Sequence, residues 1–168
     1  MSAKDEILLL FSTSNSFHRA KCGGMLNLLR QIPNDVTVKV LIQAGENLER
    51  DVIQEELRES IKHIRVQYIT KPLQTNIVAL VVDQSTSVAI EISDDTKETF
   101  EEATGSAIYS NSEMTVSSCM SIFETLWIQS ELDKQNKVRE AYFQMFKGLK
   151  LKDETYIRRW SFEQEKEK

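Results

Sequence analysis

Prolines and glycines are scarce in this chain, 2 and 5 among 168 residues, which excludes a collagen-like or linker-dominated molecule. The two cysteines, Cys22 and Cys119, are too few and too far apart for a disulfide framework or a CxxC metal site, and they fit a reducing compartment. A structural zinc is not expected, nor any other metal or cofactor. No apolar run approaches the ~20 residues that a bilayer requires. The opening Met1 to Glu6 is polar and charged, so we expect a soluble, cytoplasmic protein with no secretory leader and no membrane partner.

What is present is the composition of a folded chain. Hydrophobic residues make up 40% of it, and the length suits one domain plus an extension. Charge is unevenly distributed. Residues 1–146 hold 14 basic and 21 acidic side chains, a net of −7, while residues 147–168 hold 7 and 5, a net of +2. The body therefore repels nucleic acid, and the tail does not.

Ile7 to Ser12 is a continuous apolar run that predicts a strand buried on both faces, followed by a polar loop from Thr13 to Lys21. A helix is expected from about Gly24, with Met25, Leu26, Leu28, Leu29 and Ile32 on its apolar face and Pro33-Asn34-Asp35 as its stop. Val36 to Ile42 alternates as a second strand. Glu46 to Lys62 predicts a charged amphipathic helix with the stripe Leu48, Val52, Ile53, Leu57 and Ile61. Ile64 to Ile69 is a third strand. Ile77 to Val82 and Val88 to Ile92 form an expected hairpin around Asp83-Gln84-Ser85-Thr86. Asp94 or Asp95 can cap a short helix from Thr96 to Ala103, and Ala107 to Tyr109 supplies a last strand.

From Glu113 the helical pattern runs through Met120, Phe123, Trp127, Leu132, Val138, Tyr142 and Phe146, far beyond the usual ~11 residues. We expect Gly148 to break it and Asp153 to Glu163 to form a final short helix. The reading is an α/β fold, a mixed sheet flanked by helices, occupying residues 1–128. A helical extension follows over residues 129–168.

Gly105 to Trp127, a strand followed by an Asn-x-Glu turn and a helix ending in Phe-x-x-x-Trp, resembles the closing segment of phospholipase-D-like domains. That resemblance places Asn76 and Val78 where the superfamily carries the His and Lys of its His-x-Lys motif, with only Asp83 retained. An amide cannot be the nucleophile and a valine cannot stabilise an anion. A closer resemblance covers Ile7 to about Leu132, through LLFSTSNSFHR, GGMLNLL, LQTNIVALVVD, EISDDTKETFEEATGSAIYSNS and SIFETLW. Those blocks, in that order, are similar to the input domain of archaeal two-component sensor histidine kinases, itself a degenerate phospholipase-D-like half. No histidine follows His63, so the resemblance implies the sensor without the kinase core.

Candidate functional residues fall into three groups. Ser12, Thr13, Asn15, His18, Arg19 and Lys21 lie beyond the first strand, where open α/β sheets bind ligands, and they could hold an anion ahead of Gly23-Gly24. The other reading is an ordinary polar loop. Asp83, Glu91, Asn111 and Glu113 come from strand ends, and the resemblance gathers them with Asn76 around a vestigial active site; caps and solvent-facing acids are the other reading. Trp127, Tyr142, Phe146, Lys150, Arg158 and Trp160 form a basic and aromatic set that suits packing against a second chain or a partner, or contact with nucleic acid. Cys22 beside Lys21 could serve as a redox thiol, and His63-Ile64-Arg65 mimics His-x-Lys by coincidence.

The expected function is a non-catalytic sensory module of two-component signal transduction, self-associating as a homodimer or binding a signalling partner through its C-terminal helices. A DNA-contacting transcriptional regulator using the tail is the first alternative. A phosphodiesterase-type hydrolase, opposed by Asn76 and Val78, is the second.

Overall fold

The computed structural model describes residues 3–43, 53, 57, 64–71 and 73–164, with side chains described as far as residue 145. Two compact units divide the chain, Met1–Ser130 and Glu131–Lys168.

The first unit is built on a six-stranded mixed sheet. Its strands are β1 (Glu6–Phe11), β2 (Thr37–Gln43), β3 (Ile64–Ile69), β4 (Ile77–Val82), β5 (Thr86–Ile92) and β6 (Thr104–Ser110), in the spatial order β3-β2-β1-β4-β5-β6. β1, β2 and β3 run parallel, and the other three continue antiparallel from β1. The sheet is open. Helices α1 (Ser14–Cys22), α2 (Met25–Leu29) and α3 (Phe100–Ala103) accompany it, together with the long α4 (Glu113–Gln164). The expected α/β class with a mixed sheet, flanking helices and a long C-terminal helix is what the molecule has.

Central β1 is buried along five of its six residues because it carries apolar side chains to both faces. Ile7, Leu9 and Phe11 point to one face with Val38, Val40, Ile42 and Val78, where Phe17 of α1, Leu29 of α2 and the helical residues Ile53 and Leu57 cover them. Leu8 and Leu10 point to the other face with Leu41, Ile69 and Val81, under Val116 and Phe123 of α4. Period-two alternation on β1 thus feeds two separate cores.

Four expectations change. The segment after β1 is not a loop: Ser14–Cys22 is helical. Thr13 takes the N-cap and accepts the Ser16 N–H at 3.0 Å, which satisfies an otherwise orphaned donor. Phe17 is completely buried on this helix, edge-on to Phe11 with ring centroids 5.4 Å apart. Consequently the expected helix near Gly24 is reduced to the five-residue α2. The expected helix from Thr96 shrinks to Phe100–Ala103, capped by Thr99 through the Glu102 N–H at 3.3 Å. Finally, α4 passes through Gly148 without a break. An interior glycine costs a helix only about 1 kcal/mol, and the neighbours Lys147, Leu149 and Leu151 favour the helical state. The expected helix Glu46 to Lys62 lies, Ile53 and Leu57 apart, outside the described residues.

Gly24, before α2, has φ +93 with no side-chain cap bond, and a Cβ there would meet nothing within 4 Å. The penalty for Gly24→Ala is therefore backbone strain alone. We expect a loss of about 1 kcal/mol, read as a lower midpoint in urea with an unchanged slope.

Candidate functional site

The parallel strands end on one side of the sheet, where the chain leaves β1 toward β2 and only later returns to β4, the antiparallel neighbour of β1. Ser12 ties the two strands together at that end. Its N–H donates to the Ile77 carbonyl at 3.1 Å and its Oγ accepts from the Ile77 N–H at 2.7 Å, with the side chain almost fully buried.

Next along the chain, the first turn and the inner face of α1 converge on one acid, Asp95, from the segment between β5 and α3. Thr13 Oγ1 donates to Asp95 Oδ1 at 3.0 Å, and Asn15 Nδ2 reaches Asp95 Oδ2 and its carbonyl at 3.3 Å. The Arg19 guanidinium, 6% exposed, forms an ion pair with the Asp95 carboxylate. It also donates to the carbonyls of Asp95 at 3.1 Å and Lys97 at 2.9 Å. The anion expected ahead of Gly23-Gly24 would have drawn on Arg19, Thr13 and Asn15, and these three are engaged by the Asp95 carboxylate. Sequence reasoning missed this role of Asp95 because an acid three residues after a strand reads locally as a cap. Its partner is 76 residues away. His18 is half-buried with its ring 5.8 Å from Phe17, and Lys21 lies in the last turn of α1.

The five residues assigned to a vestigial active site separate. Asn76 and Glu91 sit at the end of the sheet that carries Ser12. Glu91 pairs in register with Ile77 and its Oε2 accepts from the Ser106 N–H at 3.3 Å. Asp83, Asn111 and Glu113 lie at the opposite end, where Ser110 pairs with Ser87, roughly 20 Å away along a six-residue strand at ~3.3 Å per residue. Val78, in the lysine position of the motif, is buried in the core. Antiparallel pairing of β4, β5 and β6 reverses direction at every strand, which disperses acids that appear clustered in sequence. Among the described residues, no group of three or more His, Cys, Asp or Glu side chains is placed to hold a metal.

Asp83 serves the fold. It and Gln84 have φ of 50 and 53, which makes the hairpin a type I′ turn closed by the Ser85 N–H on the Val82 carbonyl at 3.0 Å. Its carboxylate accepts from the backbone N–H groups of Lys4, Asp5 and Glu6 at 2.9 to 3.1 Å. The Asp5 N–H does most to hold its pKa below the ordinary 3.8, with Glu6 and Lys4 adding to it and partial burial opposing. A folded pKa below the unfolded one contributes stability above about pH 4 that fades as pH falls through the lower folded value. We expect Asp83→Asn, which tolerates the positive φ, to flatten the decline of stability between neutral pH and pH 3 in urea titrations.

Of the residues assigned to interaction, Trp127 is half-buried against the second core, stacked on Phe123 with centroids 5.8 Å apart and with Lys39 Nζ 5.9 Å from its ring. Part of its surface packs on this core and part stays accessible. Tyr142 is 59% exposed. Phe146, Lys150, Arg158 and Trp160 fall on the helical backbone, with side chains outside the described residues.

No protein-family model matches the chain, and no curated protein does. Among solved structures it is similar to one described as "Structure of TrmBL2, an archaeal chromatin protein, shows a novel mode of DNA binding", with a TM-score of 0.46 and 13% identity. The match covers 76% of this chain and 45% of that one, so the chain spans less than half the length of its neighbour. The description printed for that structure names a chromatin protein and no two-component kinase, and the expectation of a two-component signal-transduction module is withdrawn. No helix among the described residues is long and apolar enough to cross a membrane.

Proposed function

We propose that this protein is a non-catalytic, DNA-contacting regulatory module that self-associates through α4. The observation that carries the reading is the second unit. Leu132, Val138, Tyr142, Phe143 and Met145 are each at least half exposed on it, between 50% and 60%. Val138, Tyr142, Met145 and, in sequence, Leu149 follow one another at spacings of four, three and four, the seam of a coiled coil. Helices of this kind gain stability chiefly from packing an apolar face, and a second copy offers a matching one.

Two further features support the reading. The residues that would carry phosphodiester chemistry are an exposed Asn76 and a core Val78. Past residue 146, Lys147, Lys150, Lys152, Arg158 and Arg159 are interspersed with Tyr156 and Trp160, in a segment whose net charge is +2 while residues 1–146 sum to −7. Pairing two helices doubles that charge at one place, which suits a phosphate backbone.

The test is fluorescence anisotropy on a labelled duplex at low and physiological salt. We expect binding whose affinity falls steeply with salt, by about tenfold or more for a few phosphate contacts, and which is lost in Lys150→Ala with Arg158→Ala. Absence of binding at low salt, or binding indifferent to those substitutions, refutes the DNA reading while leaving self-association standing.

A further inference from the structure

The face of the sheet beneath α2 contains a cavity of about 530 Å³. Its floor is Ile7 and Leu9 of β1 with Leu80 and Val82 of β4, and its wall is formed by Met25, Leu28, Leu29 and Ile32. It is a half-open pocket at the surface, with Leu28 exposed at its rim, so a ligand can enter from solvent. Its volume lies within the ~300–1,000 Å³ range of small-molecule sites.

The lining decides the chemistry. Among the described residues Gln31 is its one polar side chain, and none that lines it is charged. The backbone N–H groups of Gln31 and Ile32 are already bonded to the Leu28 and Leu29 carbonyls at 3.1 and 3.3 Å. A sugar or nucleotide would leave its hydroxyls or phosphates without partners, at a large desolvation penalty. A mainly hydrocarbon molecule with one neutral hydrogen-bonding group at Gln31 meets every surface it presents. The wall is also adjustable. α2 is only five residues long, joined through Gly23 and a left-handed Gly24, and Leu28 at its rim is 66% exposed.

We infer that this cavity is a binding site for a small, uncharged, predominantly apolar ligand, distinct from the Asp95-filled start of α1 and independent of the helical extension. The probe is N-phenyl-1-naphthylamine, titrated into the full chain and followed by fluorescence. Saturable binding at one site per chain is expected, weakened at least about tenfold both by Leu80→Trp, which fills the floor, and by Leu28→Glu, which places a charge at the exposed rim. Tyr142→Glu with Phe143→Glu, which disrupts an exposed apolar surface on α4, should leave it unchanged. No saturable binding overturns the proposal, as does binding that survives Leu28→Glu in a folded chain or that disappears with the α4 substitutions instead. Because Leu28 is exposed, its variant decides the matter even where Leu80→Trp fails to fold.

Discussion

Asp95→Ala should lower the stability of the first unit by about 3 kcal/mol, the scale on which removing one partner of a buried ion pair destabilises a fold. The substitution leaves the Arg19 guanidinium, 6% exposed, without its counter-ion. It also strips a bond from Thr13 Oγ1 and one from Asn15 Nδ2. Arg19 Nε has no hydrogen-bond partner even in the intact protein, so the side chain has little left to redistribute. Asp95→Asn should fall between the two, retaining acceptors while losing charge. Urea midpoints at neutral pH measure the series. Equal stability of Asp95→Ala and the parent would mean that the carboxylate does not organise the start of α1, and the anion site read from the sequence would be open to an external ligand.

Phe17→Ala should be larger still, about 4 kcal/mol, typical of truncating a fully buried aromatic to a methyl group. Phe17 has no exposed surface, and its ring meets Phe11 edge-on, so both area and a specific aromatic pair are lost. The substitution also separates the two accounts of this segment. In a polar loop Phe17 would be a solvent-facing side chain whose loss changes stability by less than about 0.5 kcal/mol. Only as the inward position of a capped helix does it carry the larger figure. Thermal or urea unfolding of Phe17→Ala beside Phe17→Leu provides the comparison, with the leucine variant intermediate.

The sheet was largely legible because its signals are local. β3 and β4 begin and end where their apolar runs do, and the buried β1 follows from an unbroken Ile-Leu-Leu-Leu-Phe. α1 was not legible, because six of its nine residues are polar or charged and its buried Arg19 is paired with Asp95 from far along the sequence. A local pattern cannot show a partner 76 residues distant. Asp83 was read as a remnant of chemistry because its motif position is suggestive. Three backbone N–H groups of the N-terminal strand region, invisible to a motif, explain why an acid suits that turn. Trp127 shows the same limit, since an aromatic on a long helix reads equally well as core or as contact until the helix is placed on Leu8, Leu41 and Val81. The apolar spacing through Val138 and Tyr142 was legible, and the exposure of Val138, Tyr142 and Met145 required the structure.

Self-association through α4 is the claim on which the proposed function rests, and light scattering on the intact chain beside Tyr142→Glu with Phe143→Glu addresses it most directly. Both positions are 59% exposed, so the substitutions leave the core of the first unit untouched. The account predicts twice the 19.4 kDa chain mass for the parent at low and high salt, and a folded monomer for the variant. A monomeric parent, or a dimer that persists unchanged in the variant, would contradict it.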